Sequence, residues 1–127
     1  IIWATQLNYK LGENLSLDFN SKYVGEQYID NTSSKERMLD DYLTHNLQLQ
    51  YNLNSKLFKT SKIYFRVNNV LDSKYVSNAW IYRFISNGYD PRSDDHYVTK
   101  NSEGGYDMAG YFPEATRNYM LMLVLGF

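Results

Sequence analysis

The stretch LTHNLQLQYNL, residues 43–53, alternates without a break. Leu43, His45, Leu47, Leu49, Tyr51 and Leu53 fall on one side of an extended chain, and Thr44, Asn46, Gln48, Gln50 and Asn52 fall on the other. Successive side chains of a strand point to opposite faces, so this two-residue period marks a β-strand with one apolar and one polar side. A helix over the same residues would scatter the leucines around its circumference.

Working outward, the same period recurs. Trp3, Thr5, Leu7 and Tyr9 alternate with Ala4, Gln6, Asn8 and Lys10, and the turn residues Gly12-Glu13-Asn14 follow. Leu15, Leu17, Phe19, Ser21 and Tyr23 alternate with Ser16, Asp18, Asn20 and Lys22. Ile63, Phe65 and Val67 alternate with Tyr64, Arg66 and Asn68, and the chain closes on Tyr119, Leu121, Leu123, Leu125 and Phe127 along one face. The pattern predicts an all-β, antiparallel up-and-down meander with strands near 1–11, 15–29, 40–53, 62–75 and 115–127. A stretch over 76–113, punctuated by Gly88, Asp90-Pro91, Asp94-Asp95 and Gly104-Gly105, reads as a long irregular loop.

The connections alternate in length, so one end of such a sheet carries tight turns and the other carries large loops. Strands of about ten residues match the roughly 9–11 needed to span a bilayer at a tilt. Aromatic residues recur near strand ends, as in the girdles of a transmembrane β-barrel. A soluble sandwich or barrel also alternates, with its apolar face turned inward, and periodicity alone leaves both open.

Composition narrows the classes. The 127 residues carry 13 basic and 14 acidic side chains, so no electrostatic footprint for nucleic acid or an anionic surface exists. Cysteine is absent, which removes disulfides and thiolate chemistry together. Tyrosine outnumbers phenylalanine, 13 to 6, and an apolar ring with a wet tip suits interfaces. Ile1-Ile2-Trp3 lacks the features of a signal peptide and reads as the middle of an element, so the chain is expected to be a piece of a longer one.

No paired acid and base, and no nucleophile with an oriented partner, can be placed, so an enzyme is the least favoured class. Asp94-Asp95-His96 lacks the spaced oxygens of a calcium loop, and no metal or cofactor is expected. The long loop is rich in rings. Trp80, Tyr82, Arg83, Tyr89, Arg92 and Tyr97 are the candidates for contact with a flat, hydrogen-bonding ligand. The alternative is that these rings pack the loop on itself and mark the headgroup boundary.

Two phrases carry a resemblance. Asn69-Val70-Leu71-Asp72-Ser73-Lys74-Tyr75, with the continuation Ser77-Asn78-Ala79-Trp80-Ile81-Tyr82, resembles the end of the penultimate strand of TonB-dependent outer-membrane receptors of the Bacteroidetes type. Tyr111-Phe112-Pro113 and Arg117-Asn118-Tyr119 resemble their lead-in to the last strand. The ladder Tyr119, Leu121, Leu123, Leu125 and Phe127 is similar to the outer-membrane insertion signal that the barrel assembly machinery reads as an added strand. The likeness covers residues 40–127 best, and the lumen-side set Asn118, Met120, Met122, Val124 and Gly126 is more apolar than that pattern leads one to expect.

The resemblance implies the C-terminal part of a receptor barrel in the bacterial outer membrane. Its activity would be energy-coupled uptake of a ferric siderophore, haem, cobalamin or glycan. The implied partners are outer-membrane lipid, a plug domain and the remaining barrel strands, the assembly machinery, and the TonB energy-coupling complex acting through segments outside this sequence. The rival readings are a passive porin or structural barrel, and a soluble β-sandwich binding module.

Overall fold

The computed structural model describes residues 1–54 and 56–127. In chain order the strands are β1 (Ile2–Lys10), β2 (Leu15–Val24), β3 (Gln27–Tyr28), β4 (Met38–Leu39), β5 (Tyr42–Asn52), β6 (Thr60–Asn68), β7 (Val76–Phe84), β8 (Val98–Lys100), β9 (Tyr106–Pro113) and β10 (Asn118–Gly126). A short 3-10 turn spans Pro91–Ser93, and the fold is all-β with antiparallel sheets. No helix among the described residues is long and apolar enough to cross a membrane, which bears on helices only.

The chain divides into two compact units. The first comprises Ile1–Gly25, Tyr42–Lys74 and Ala115–Phe127 and holds a five-stranded sheet in the order β1-β2-β5-β6-β10. The register aligns the alternating patterns across it. Leu7 pairs with Phe19, Phe19 with Leu47, and Leu47 with Val67. Leu49 pairs with Phe65, which pairs with Leu121. These apolar rows thus share one face, and a one-residue slip of any strand would turn its apolar set to the polar side. Phe65 stacks on Tyr119 at 6.3 Å, and Phe19 on His45 at 5.5 Å, cross-strand pairs of the kind that stabilise a sheet by about 0.2–1 kcal/mol each.

The opposite face is mostly polar. Asn8, Asp18, Gln48 and Arg66 form one row across four strands, and Asn8 Nδ2 donates to Asp18 Oδ1. Gln50 donates to Asn52 at 3.1 Å and Asn68 to Asn118 at 2.8 Å. Toward β10 this face turns apolar at Met120, Met122 and Val124.

The apolar face stays open. Leu7 is 59% exposed, Leu121 74% and Leu123 58%. Soluble sheets bury such a face against a second layer, and contiguous apolar surface left open marks an interaction site. Among the described residues, no strand pairs with the outer edge of β1 or of β10.

The strand ends have local causes. At the short turn, Leu11 N–H donates to Leu15 O at 2.9 Å and Gly12 takes φ +153, a conformation open only to glycine. The second strand, expected to reach residue 29, stops at Val24, where Gly25 N–H bonds Ile1 O at 2.8 Å. The fourth, expected to run to residue 75, stops at Asn68, because Asn69 (φ 50) and Asp72 (φ 57) turn left-handed. Asn and Asp tolerate that region better than other L-residues.

Asn69 organises this corner and is buried. Its N–H donates to Asn46 Oδ1 at 2.9 Å, its Oδ1 accepts from Ser73 N–H at 2.9 Å, and its Nδ2 donates to Ser73 O at 2.8 Å and Ala115 O at 3.3 Å. The last strand, expected from residue 115, begins at Asn118 beyond this corner.

The second unit comprises Glu26–Asp41 and Tyr75–Glu114. It pairs β3 with β4 as a small hairpin and orders a three-stranded sheet β7-β9-β8. The stretch 76–113, expected to be irregular, is therefore structured. Its Gly and Asp-Pro punctuation lies between strands, while Trp80, Tyr82 and Phe84 alternate with Ile81 and Arg83 inside one.

Candidate ligand-binding site

The second unit contains an aromatic cleft of about 630 Å³. Three features of the backbone make it. β7 and β9 pair over most of their length, and Trp80 lies directly opposite Gly110. A Cβ on Gly110 would sit 2.2 Å from the Trp80 ring nitrogen, so the absence of a side chain lets the indole lie flat on β9. Cross-strand cover of a glycine by an aromatic ring is a known sheet-stabilising device.

The third feature is an early end to pairing. β8 meets β9 only at Val98–Met108, Thr99–Asp107 and Lys100–Tyr106. Beyond Met108 the outer edge of β9 has no paired strand among the described residues. His96 and Tyr97, whose rings pack at 4.0 Å, precede β8 and wall the space beside Ala109, Gly110 and Tyr111. Thr99 and Met108 complete the lining, and none of the lining residues is Asp, Glu, Lys or Arg.

Of the residues singled out in the sequence, Trp80 and Tyr97 meet in this cleft. Tyr82 belongs to a different row, stacked on Phe84 at 5.8 Å, which stacks on Tyr106 at 5.7 Å. Tyr89 donates its hydroxyl to the Asp94 carboxylate, and that bond pushes the phenol above its ordinary range. Arg92 grips Asp90 through Nε at 2.9 Å and Nη2 at 2.5 Å, while Arg92 N–H caps the same carboxylate at 3.1 Å. The bonds from Arg92 pull the Asp90 carboxyl down to about 2. Arg83 pairs with Glu103 and approaches Asp107 at 3.7 Å. Both guanidinium groups are thus engaged by carboxylates of their own unit.

A buried ion cluster lay outside the sequence reading. Arg37 is 1% exposed; its Nε donates to Asp107 at 2.7 Å and its Nη1 to Thr32 Oγ1 at 3.0 Å. Glu103 lies 3.7 Å and Asp30 3.9 Å away. Asn101 adds a second bond to Asp107 at 2.7 Å, and Glu36 receives the N–H and hydroxyl of Ser102. A hydrogen bond from the Thr32 hydroxyl holds Asp30 below the usual carboxylate range. The cluster fixes the 26–41 segment to the strand that floors the cleft. Among the described residues, no group of His, Asp and Glu is arranged to hold a metal ion.

Tyr119, Leu121, Leu123 and Leu125 lie on the apolar face of β10, with Phe127 just past its end. The Phe127 ring meets Phe58 edge-on at 5.2 Å, and Lys59 N–H donates to Gly126 O at 2.9 Å. Comparison with known protein families, with curated proteins and with solved structures finds no match.

Proposed function

We propose that this chain forms part of the wall of a TonB-dependent outer-membrane receptor and contributes ligand-contacting surface to it. The observation that carries the reading is the five-stranded meander with one continuous, open apolar face and one mostly polar face. Such a sheet suits a barrel wall, apolar toward lipid and polar toward the lumen. Its two open edges would be completed by neighbouring strands, since unpaired backbone is not tolerated in lipid.

The two long connections support the same reading. Both leave the meander at alternate joints, the arrangement that puts large loops at one end of a barrel and tight turns at the other. The corner built on Asn69 and Asp72 gives the resemblance a physical basis, because these residues set the turn from which the last strand departs. Uptake itself would be driven through a plug and the TonB complex, outside these residues.

The test is lipid contact. Tryptophan placed at Leu49 or Leu121, in the full polypeptide reconstituted in bilayers carrying bromine at mid-chain, is quenched strongly. Tryptophan placed at Gln48 or Met122 is not. Equal quenching at both pairs of sites, or none at either, refutes a barrel wall. A passive porin would pass this test but would lack a requirement for TonB in ligand uptake by intact cells.

A further inference from the structure

The cleft beside Trp80 is built from rings and neutral polar groups, and that limits what it can hold. We propose that it binds a neutral, hydroxyl-rich ring, a pyranose unit of an oligosaccharide, stacked on the Trp80 indole. The inference rests on the receptor reading and selects one ligand class within it.

Three observations support it. First, the stacking surface is preformed. The indole is held flat against Gly110, yet Trp80 remains 47% exposed, so ring surface is presented to a guest without reordering. The faces of aromatic rings carry negative potential and attract the weakly positive C–H groups on the flat side of a sugar.

Second, the polar groups around that surface are hydroxyls and ring nitrogens. Tyr97 and His96, which line the cleft with Trp80, offer donors and acceptors suited to sugar hydroxyls. The cleft volume, about 630 Å³, falls within the roughly 300–1,000 Å³ of small-molecule sites.

Third, the charge is wrong for the other ligand classes. An anionic iron chelate, a haem propionate or a phosphate calls for a cation in the wall, and the lining has neither Lys nor Arg. Arg83 and Arg92, which the sequence offered as ligand contacts, are committed to Glu103 and Asp90. The lining also has no carboxylate to hold a cationic guest.

The experiment uses the full polypeptide in a sugar-free amine-oxide detergent. Calorimetry and Trp80 fluorescence, in a Trp3→Phe background, follow titration with neutral malto-, cello-, xylo- and laminari-oligosaccharides, and with ferric citrate as the anionic probe. At least one neutral series binds, and Trp80→Ala and Tyr97→Ala each weaken it by roughly tenfold, the scale of a lost aromatic stack. Arg92→Ala leaves it unchanged. Tyr97 precedes β8, so its variant tests the cleft even if Trp80→Ala fails to fold.

No binding by any neutral series overturns the proposal, as does binding indifferent to both ring variants. Ferric citrate binding that depends on Trp80 overturns it too. The bilayer quenching pattern is read in parallel, on the same polypeptide reconstituted in bilayers. A barrel that inserts correctly but ignores neutral sugars therefore rejects the ligand class and spares the receptor reading.

Discussion

The backbone N–H of Arg117 donates to the Asp72 carboxylate at 2.8 Å, joining residues 45 apart in sequence. Arg117 Nη1 also reaches Val70 O at 3.3 Å. One residue later Asn118 meets Asn68, and the register of the whole last strand follows. The left-handed turn after β6 is therefore the clamp from which β10 is laid down.

Breaking that clamp gives the first prediction. Asn69→Gly keeps the φ of 50° accessible but loses the three side-chain bonds to Ser73 and Ala115. Asn69→Ala loses the bonds and adds backbone strain, so it is less stable than the glycine variant by about 1 kcal/mol. Urea unfolding in detergent measures both. Equal midpoints would mean that strain at this position has no part in stability.

The two faces of β5 make the second prediction. Leu49→Arg places a charge on the apolar face and costs about 2–4 kcal/mol in a bilayer if the site lies near the midplane. Gln48→Arg, one residue away on the polar face, costs well under 1 kcal/mol. Unfolding in lipid vesicles reads the difference. Similar costs at both positions would contradict a one-sided apolar environment.

Arg37 supplies the third. Its side chain is fully buried against Asp107, so Arg37→Ala removes the nearer of the two guanidinium groups beside that buried carboxylate, leaving Arg83 at 3.7 Å, and costs about 3 kcal/mol locally. Limited proteolysis detects this as faster cleavage within residues 26–41. Arg37→Ala combined with Asp107→Ala removes both charges and recovers part of the loss. A double variant as sensitive as the single one would show that the ion pair is not the restraint.

The fourth concerns pH. Asp90 is held at about 2 rather than the ordinary 3.8 by its bonds from Arg92. A carboxyl with a depressed pKa in the folded chain contributes stability above its unfolded value and loses it as pH falls through the folded one. The Asp90–Arg92 turn is thus insensitive between pH 7 and 5, and loosens as pH drops from about 4 toward 2. Carboxyl chemical shifts show Asp90 titrating closer to its ordinary value in Arg92→Ala, which keeps only the backbone N–H bond to it. An unchanged titration would dissociate the shift from Arg92.

Much of the meander was legible before any coordinates, because a two-residue period is a local property of the chain. Leu47, Leu49, Phe65 and Leu121 had to share a face once each strand was recognised. The second unit was harder to read. Gly88, Asp90-Pro91 and Gly104-Gly105 suggested one long loop, and the punctuation hid the aromatic alternation from Trp80 to Phe84 between them. That alternation was the available signal for β7. Arg37 carried none, since an isolated arginine among Ser, Lys and Glu reads as solvated surface.

By itself, then, the sequence determined the all-β class and the sidedness of every strand of the five-stranded meander, because alternation follows from backbone geometry alone. Tertiary structure decided the partners. The Trp80 indole is set by Gly110 on another strand. Arg37 is buried only because Asp107, 70 residues away, meets it. Packing and charge pairing depend on which distant residues are brought together, and no local period records that.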